Sequence, residues 1–160
     1  MNDKPNKVYT KSQALKKAEY YCAYQERCQQ DARNKLYQLG MHYQEVEEII
    51  AMLIEDNFIN EERFAKAFAS GKFHILKWGK VKIKNELKKK NISEYCIRKS
   101  IEEIDESEYH LTLINIIEKK TKEIKAGNKF QIMAKVASFA ISKGYESELV
   151  TDIVKDRFEK

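Results

Sequence analysis

The most chemically uneven stretch of this 160-residue chain lies at 72–90, where eight lysines (72, 77, 80, 82, 84, 88, 89 and 90) stand against one acid, Glu86. Lysine is a compact, flexible cation suited to phosphates and carboxylates. Such a run can dock on a phosphate backbone or in an acidic groove; a plain solvated helix face accounts for it equally well. Trp78 sits inside it, in HILKWGK. An aromatic among cations can stack on a base or anchor a protein interface, or simply pack between two helices. Just upstream the sign reverses, with seven acids and no base over 44–62. An acidic segment beside a basic one can orient a molecule on a charged partner; charges placed at helix termini would produce the same count.

No arrangement for catalysis accompanies these charges. His42, His74 and His110 are far apart in sequence, which suits surface or cap roles. Cys22, Cys28 and Cys96 are odd in number and form no C-x-x-C, so they read as free buried thiols in a reducing compartment, not as a disulfide framework or a zinc site. The chain has no Gly-rich phosphate loop, no G-x-S-x-G and no H-E-x-x-H. The expectation is a non-enzymatic protein without metal or cofactor. No apolar run approaches the roughly 20 residues of a membrane span, and the first residues have no signal-type apolar core, so a cytoplasmic location is expected.

The elements that must carry these residues are helices. A single proline, Pro5, and five glycines leave too few turn residues for a sandwich or barrel, while 42% hydrophobic residues are too many for a disordered chain. Apolar spacing of 3–4 predicts a first helix after an N-cap at Ser12, with Ala14, Leu15, Ala18, Tyr21 and Cys22 inward. Further helices are expected over about 29–39, 43–55, 61–75, 79–90, 93–105, 107–124, 128–143 and 146–158. Gly40 closes the second as a left-handed cap, and Ser93 caps the sixth. Ile75, Val81, Phe64, Phe68 and Tyr37 are read as inward-facing, and one of Tyr20, Tyr21 and Tyr24 as free for a partner.

The pattern repeats. Gly40, Met41, Val46, Ile50 and Leu53 fall on Asn91, Ile92, Ile97, Ile101 and Ile104; a second displacement carries Asn91, Ile97 and Ile101 onto Gly144, Val150 and Val154. The period is roughly 51–53 residues. The expected organisation is an N-terminal tail (1–11) and three three-helix repeats (12–57, 58–105 and 106–160). The fold class is therefore all-α, three tandem three-helix repeats in an elongated, curved array.

The segment 55–92, EDNFINEERFAKAFASGKFHILKWGKVKIKNELKKKNI, is specific enough to suggest a family. It resembles the central part of the RecX family, bacterial regulators of the RecA recombinase. Glu62, Arg63, Phe64, Ala65 and Phe68 match the family's E-R-[FY]-A-x-x-[FY]; Gly79, Ile83, Glu86, Leu87, Lys90 and Ile92 match its second block. Asn91 stands where the family usually has glycine, and asparagine tolerates the left-handed conformation. The resemblance implies three tandem repeats and a protein that binds RecA within the groove of its DNA filament. It also implies modulation, with inhibition expected, of recombinase ATPase and strand exchange, and hence of homologous recombination and DNA repair. Arg63, Lys77, Trp78, Lys80, Lys84 and Lys88 are the expected RecA- or DNA-contacting residues, on a monomer. The rival expectation is a direct DNA-binding helical module. Against sequence reading by such a module, the basic window contains no arginine, which makes the commonest base-specific contact.

Overall fold

A computed structural model describes residues 8–160; Pro5 and the tail through residue 7 lie outside the described residues. Among these, nine helices and no strand are found: α1 (Lys11–Tyr24), α2 (Gln29–Gln38), α3 (Tyr43–Glu55), α4 (Glu61–Leu76), α5 (Lys80–Lys89), α6 (Glu94–Glu102), α7 (Glu106–Glu123), α8 (Lys129–Ser142) and α9 (Ser147–Glu159). The protein is all-α. Helix starts follow capping chemistry. Thr10, not Ser12, caps α1: its hydroxyl accepts from the Gln13 amide while the Gln13 side chain accepts from Thr10 N–H. That reciprocal box satisfies two otherwise orphaned donors, and Ser12 offers no equivalent. Ser93 caps α6, Asp105 α7 and Asn128 α8. His42 stands at the N-cap of α3.

The second helix of each helix triplet ends in a left-handed residue: Gly40 (φ 85°), Asn91 (φ 61°) and Gly144 (φ 102°). At Gly40 the chain closes with Met41 N–H on the Leu36 carbonyl at 3.1 Å, a six-to-one bond that shields the last carbonyls of α2. At Gly144 the same bond runs from Tyr145 N–H to the Ala140 carbonyl at 3.3 Å. Asn91 takes the same left-handed conformation as these two glycines, one that asparagine tolerates.

The described residues divide into two compact units, 8–64 with 90–92, and 65–89 with 93–160. In the first, α1, α2 and α3 pack mutually around Ala14, Ala18, Leu36, Val46, Ile49 and Leu53, each fully buried. Cys22 and Cys28 are buried too, and burial pushes the Cys22 thiol up to about 11, so it stays protonated at neutral pH. In the second, α7, α8 and α9 pack on one another and α5 packs on α6. Ile83 and Leu87 (i, i+4) form the buried stripe of α5.

Three side chains expected inside are outside. Ile75 is 78% exposed, Tyr37 45% and Val81 42%. Ile75 and Val81 each lie two positions from a buried residue, Phe73 and Ile83, and two positions are about 200° round a helix. Tyr37 follows buried Leu36 by one and is turned off its stripe. Tyr20 and Tyr24, one turn apart on α1, are both exposed, where one exposed tyrosine was expected.

The second unit contains a backbone-on-backbone crossing. Gly79 N–H donates to the Lys143 carbonyl at 2.8 Å, and Val81 N–H to the Gly144 carbonyl at 2.9 Å. A Cβ on Gly79 would fall inside 3.0 Å of Gly144 C, Gly144 O and Tyr145 N. The glycine is there for proximity, and the chain can cross only where side chains are absent.

Candidate functional site

The lysine-rich window folds into the end of α4, a turn at 77–79, and α5. Phe73 is buried on α4 and stacks at a tilt on Tyr109, their ring centroids 5.7 Å apart. Tyr109 in turn lies 5.0 Å from Tyr145. The Tyr109 hydroxyl accepts from Lys80 N–H at 3.0 Å and donates to the Glu146 carboxylate at 3.0 Å. Burial, reinforced by the neighbouring carboxylate, pushes both phenols far above their usual range, so they act as fixed neutral donors. The Tyr145 hydroxyl donates to the Lys77 carbonyl at 2.9 Å. This aromatic ladder sets the turn from beneath. Lys77 is held at φ 60°, a conformation that costs a lysine about 1–2 kcal/mol.

The six expected contact residues divide by environment. Lys80 is an internal cation: its side chain is 12% exposed, its ammonium pairs with Glu106, and it lies 4.4 Å from the centre of the Tyr109 ring. Trp78 is half-buried, edge-on to Phe68 at 6.4 Å, with the Lys72 and Lys82 ammonium groups 5.0 and 4.4 Å from its ring centre. Both the packing and the cation-bearing readings of Trp78 thus describe it. Lys77, Lys84 and Lys88 are exposed and have no carboxylate partner among the described residues. Lys84 and Lys88, one turn apart on α5, border a groove of about 320 Å³ floored by Ile97 and Ile101, with Glu94, Glu102 and Glu106 also lining it.

Arg63 belongs to the first unit and works as a clamp there. Its Nε donates to Glu26 at 2.5 Å, one terminal nitrogen to Asn57 Oδ1 at 3.3 Å, and the other to the Asn57 carbonyl at 3.0 Å. Asn57 is itself left-handed at φ 63°. Arg63→Ala is expected to destabilise the protein by about 2 kcal/mol, because it leaves Glu26 and the turn carbonyl without their charged donor. A urea titration following helicity checks this, and Arg63→Lys should recover only part of the loss, since an ammonium cannot span the same fork.

The acidic segment is largely spent on structure. Arg33 pairs with Glu47 through Nε at 2.8 Å, and Lys11 pairs with Glu48. Each cation holds its partner carboxyl below the usual range, the hydrogen bond being the main cause. Among the described residues no group of three or more His, Cys, Asp or Glu could hold a metal ion, and no helix is long and apolar enough to cross a membrane.

Sequence reasoning passed over four residues that gather in the second unit: Lys119, Lys120, Lys143 and Phe139 share a concavity with Lys77. They come from α7 and the C-terminal end of α8, more than 40 residues beyond Lys77 in sequence, and no local charge run announces them.

The nine helices of the described residues, in successive triplets with a left-handed stop at the same place in each, define a class of all-α proteins made of three-helix units. A family profile for the second three-helix domain of RecX matches residues 60–101. Regulatory protein RecX of Clostridium perfringens (strain SM101) is 28% identical over 129 residues, covering 79% of this chain and 60% of the relative. Regulatory protein RecX of Bacillus cereus (strain B4264) is 25% identical over 130 residues, covering 81% of this chain and 48% of the relative. The chain thus spans between about half and three fifths of the length of these relatives. The crystal structure of RecX from Lactobacillus salivarius superposes with a TM-score of 0.80 at 21% identity, covering 91% of this chain and 95% of that one. A second crystal structure of regulatory protein RecX gives 0.79 at 21% identity, covering 91% and 73%. The family profile, the relatives and the solved structures all place the chain's similarity with RecX proteins.

Proposed function

We propose that this protein regulates a RecA-type recombinase by binding it on its DNA filament and restraining ATP hydrolysis and strand exchange. The observation that carries a protein partner, over a nucleic acid alone, is the chemistry of the α5–α6 groove. Its floor is apolar (Ile97, Ile101), and Lys84, Lys88 and Arg98 share its walls with Glu94, Glu102 and Glu106. Mixed signs over an apolar floor suit a folded or helical polypeptide segment; three carboxylates would repel a phosphate strand. Similarity to relatives named regulatory protein RecX supports the same reading. The contacting residues in this reading are Lys77, Trp78, Lys84 and Lys88, while Arg63 and Lys80 hold the elements that present them. The protein acts as a monomer in the cytoplasm, and contacts to successive protomers of a filament add as avidity.

The test is RecA ATPase on single-stranded DNA with increasing protein. Inhibition well below one protein per recombinase is expected. Lys84→Glu/Lys88→Glu should raise the concentration for half-inhibition about tenfold or more while leaving the melting temperature unchanged. Absence of any effect on hydrolysis, together with tight salt-sensitive binding to free DNA, would instead favour a direct DNA-binding module.

A further inference from the structure

A second groove in the same unit has opposite chemistry. It encloses about 380 Å³ and is lined by Lys77, Lys119, Lys120 and Lys143, with the Asn115 amide and the Phe139 ring. Its single acid, Glu123, is taken up by Lys120 at 3.7 Å. Three of the four cations are set in place by the fold. The Lys143 ammonium donates to the Leu76 carbonyl at 3.1 Å. The Lys120 ammonium lies 4.4 Å from the centre of the Phe139 ring. Lys77 is turned there by its left-handed backbone, pinned by the Tyr145 hydroxyl on its carbonyl. Lys77 and Lys119 have no carboxylate partner among the described residues.

Four lysines lining one groove carry like charge, and a concavity focuses their field. An anion in the groove would offset the repulsion among them. Lysines without arginine suit phosphate better than the bidentate recognition of carboxylates. An aromatic ring beside them offers a face for a base, and the volume is in the range of small-ligand sites.

We propose that this groove binds the phosphates of a nucleotide, free or within a single strand, with Lys77, Lys119, Lys120 and Lys143 as the phosphate contacts and Phe139 against the base. The groove is separate from the α5–α6 groove, and Lys77 is the one residue common to both readings; the groove pair Lys119 and Lys120 lies outside the proposed partner contacts and the test contains no recombinase, so the two readings fail independently.

The experiment measures fluorescence anisotropy of labelled oligo(dT) with the full chain over a range of salt. Lys119→Ala/Lys120→Ala is compared with Lys129→Ala/Lys155→Ala, which removes the same charge from exposed positions that do not line the groove. Circular dichroism confirms that both fold, and Lys77→Asn, which keeps a left-handed-tolerant residue, serves as the independent groove variant. The groove pair should weaken binding tenfold or more and flatten the salt slope by roughly 1.4, about 0.7 per lost phosphate contact. The control pair should do much less. Competition by ATP and inorganic tripolyphosphate at equal phosphate assigns the site to free nucleotides; competition by unlabelled strand alone assigns it to the strand. Equal losses in the groove and control pairs would overturn the proposal. So would competition by poly-glutamate as strong as that by the strand, which would mark an acidic protein surface as the occupant.

Discussion

Gly79→Ala should unfold the second unit's crossing and cost at least about 3 kcal/mol. The added methyl would fall inside 3.0 Å of three backbone atoms of Gly144 and Tyr145. Backbone cannot rotate away as a side chain does, so the turn at 77–79 must separate from the α8–α9 connection. The bonds from Gly79 N–H to Lys143 and from Val81 N–H to Gly144 would then be lost. For a unit of this size the loss corresponds to a fall in melting temperature of roughly 12 °C or more. Gly71→Ala is the internal control. Gly71 lies within α4 with nothing within 4 Å of the new Cβ, and a helical glycine replaced by alanine should stabilise by about 0.5–1 kcal/mol. Opposite signs from the two glycines are expected in one calorimetry series. A Gly79→Ala protein that melts with the parent would show that the crossing is not a tight contact.

The second large effect separates lysines that look identical in sequence. Lys80→Glu should destabilise by about 2–4 kcal/mol, since it places a carboxylate at a 12%-exposed position beside Glu106 and over the Tyr109 ring. Lys80→Met, which keeps the stem and removes the charge, should cost far less, because Glu106 is itself 79% exposed and regains water. Lys84→Glu/Lys88→Glu should stay within about 0.5 kcal/mol per site, as exposed substitutions do, yet lose partner binding. Thermal melts beside the ATPase assay distinguish the two behaviours. Unchanged stability in Lys80→Glu with impaired inhibition would make Lys80 a contact and not a positioning residue.

That difference marks what the chain reveals before it folds. Helix limits were readable because caps and left-handed stops are local: Ser93, Gly40, Asn91 and Gly144 each act within one turn of themselves. The Ser12 cap missed by two residues, since Thr10 with Gln13 satisfies both donors of the first turn. The basic window at 72–90 was plain, but its division was not. Lys80 and Lys84 are one turn apart on α5, and only a tyrosine and a glutamate from α7 make the first internal. Arg63 carries a family motif, yet its partners Glu26 and Asn57 lie 37 and 6 residues away. The lysines of the second groove come from α7, the C-cap of α8 and the turn before α5, so no local window of the sequence contains them together. Gly79 read as a helix boundary, which it is; its meeting with Gly144 depends on tertiary closure.

That meeting also bears on how the chain acquires and keeps its architecture. Tandem helical repeats fold as near-independent neighbours, and copies can be gained or lost with little penalty. Here two main-chain bonds tie the start of α5 to the α8–α9 connection, 64 residues further on for Gly79 to Lys143. Such a tie closes only after most of the second unit has been synthesised and has paid a long loop-closure entropy. Residues 65–89 therefore cannot finish folding co-translationally ahead of the C-terminal helices. An extra triplet inserted between α6 and α7 would pull Gly144 out of reach, so the repeat number downstream of α5 is fixed by a contact between two residues without side chains.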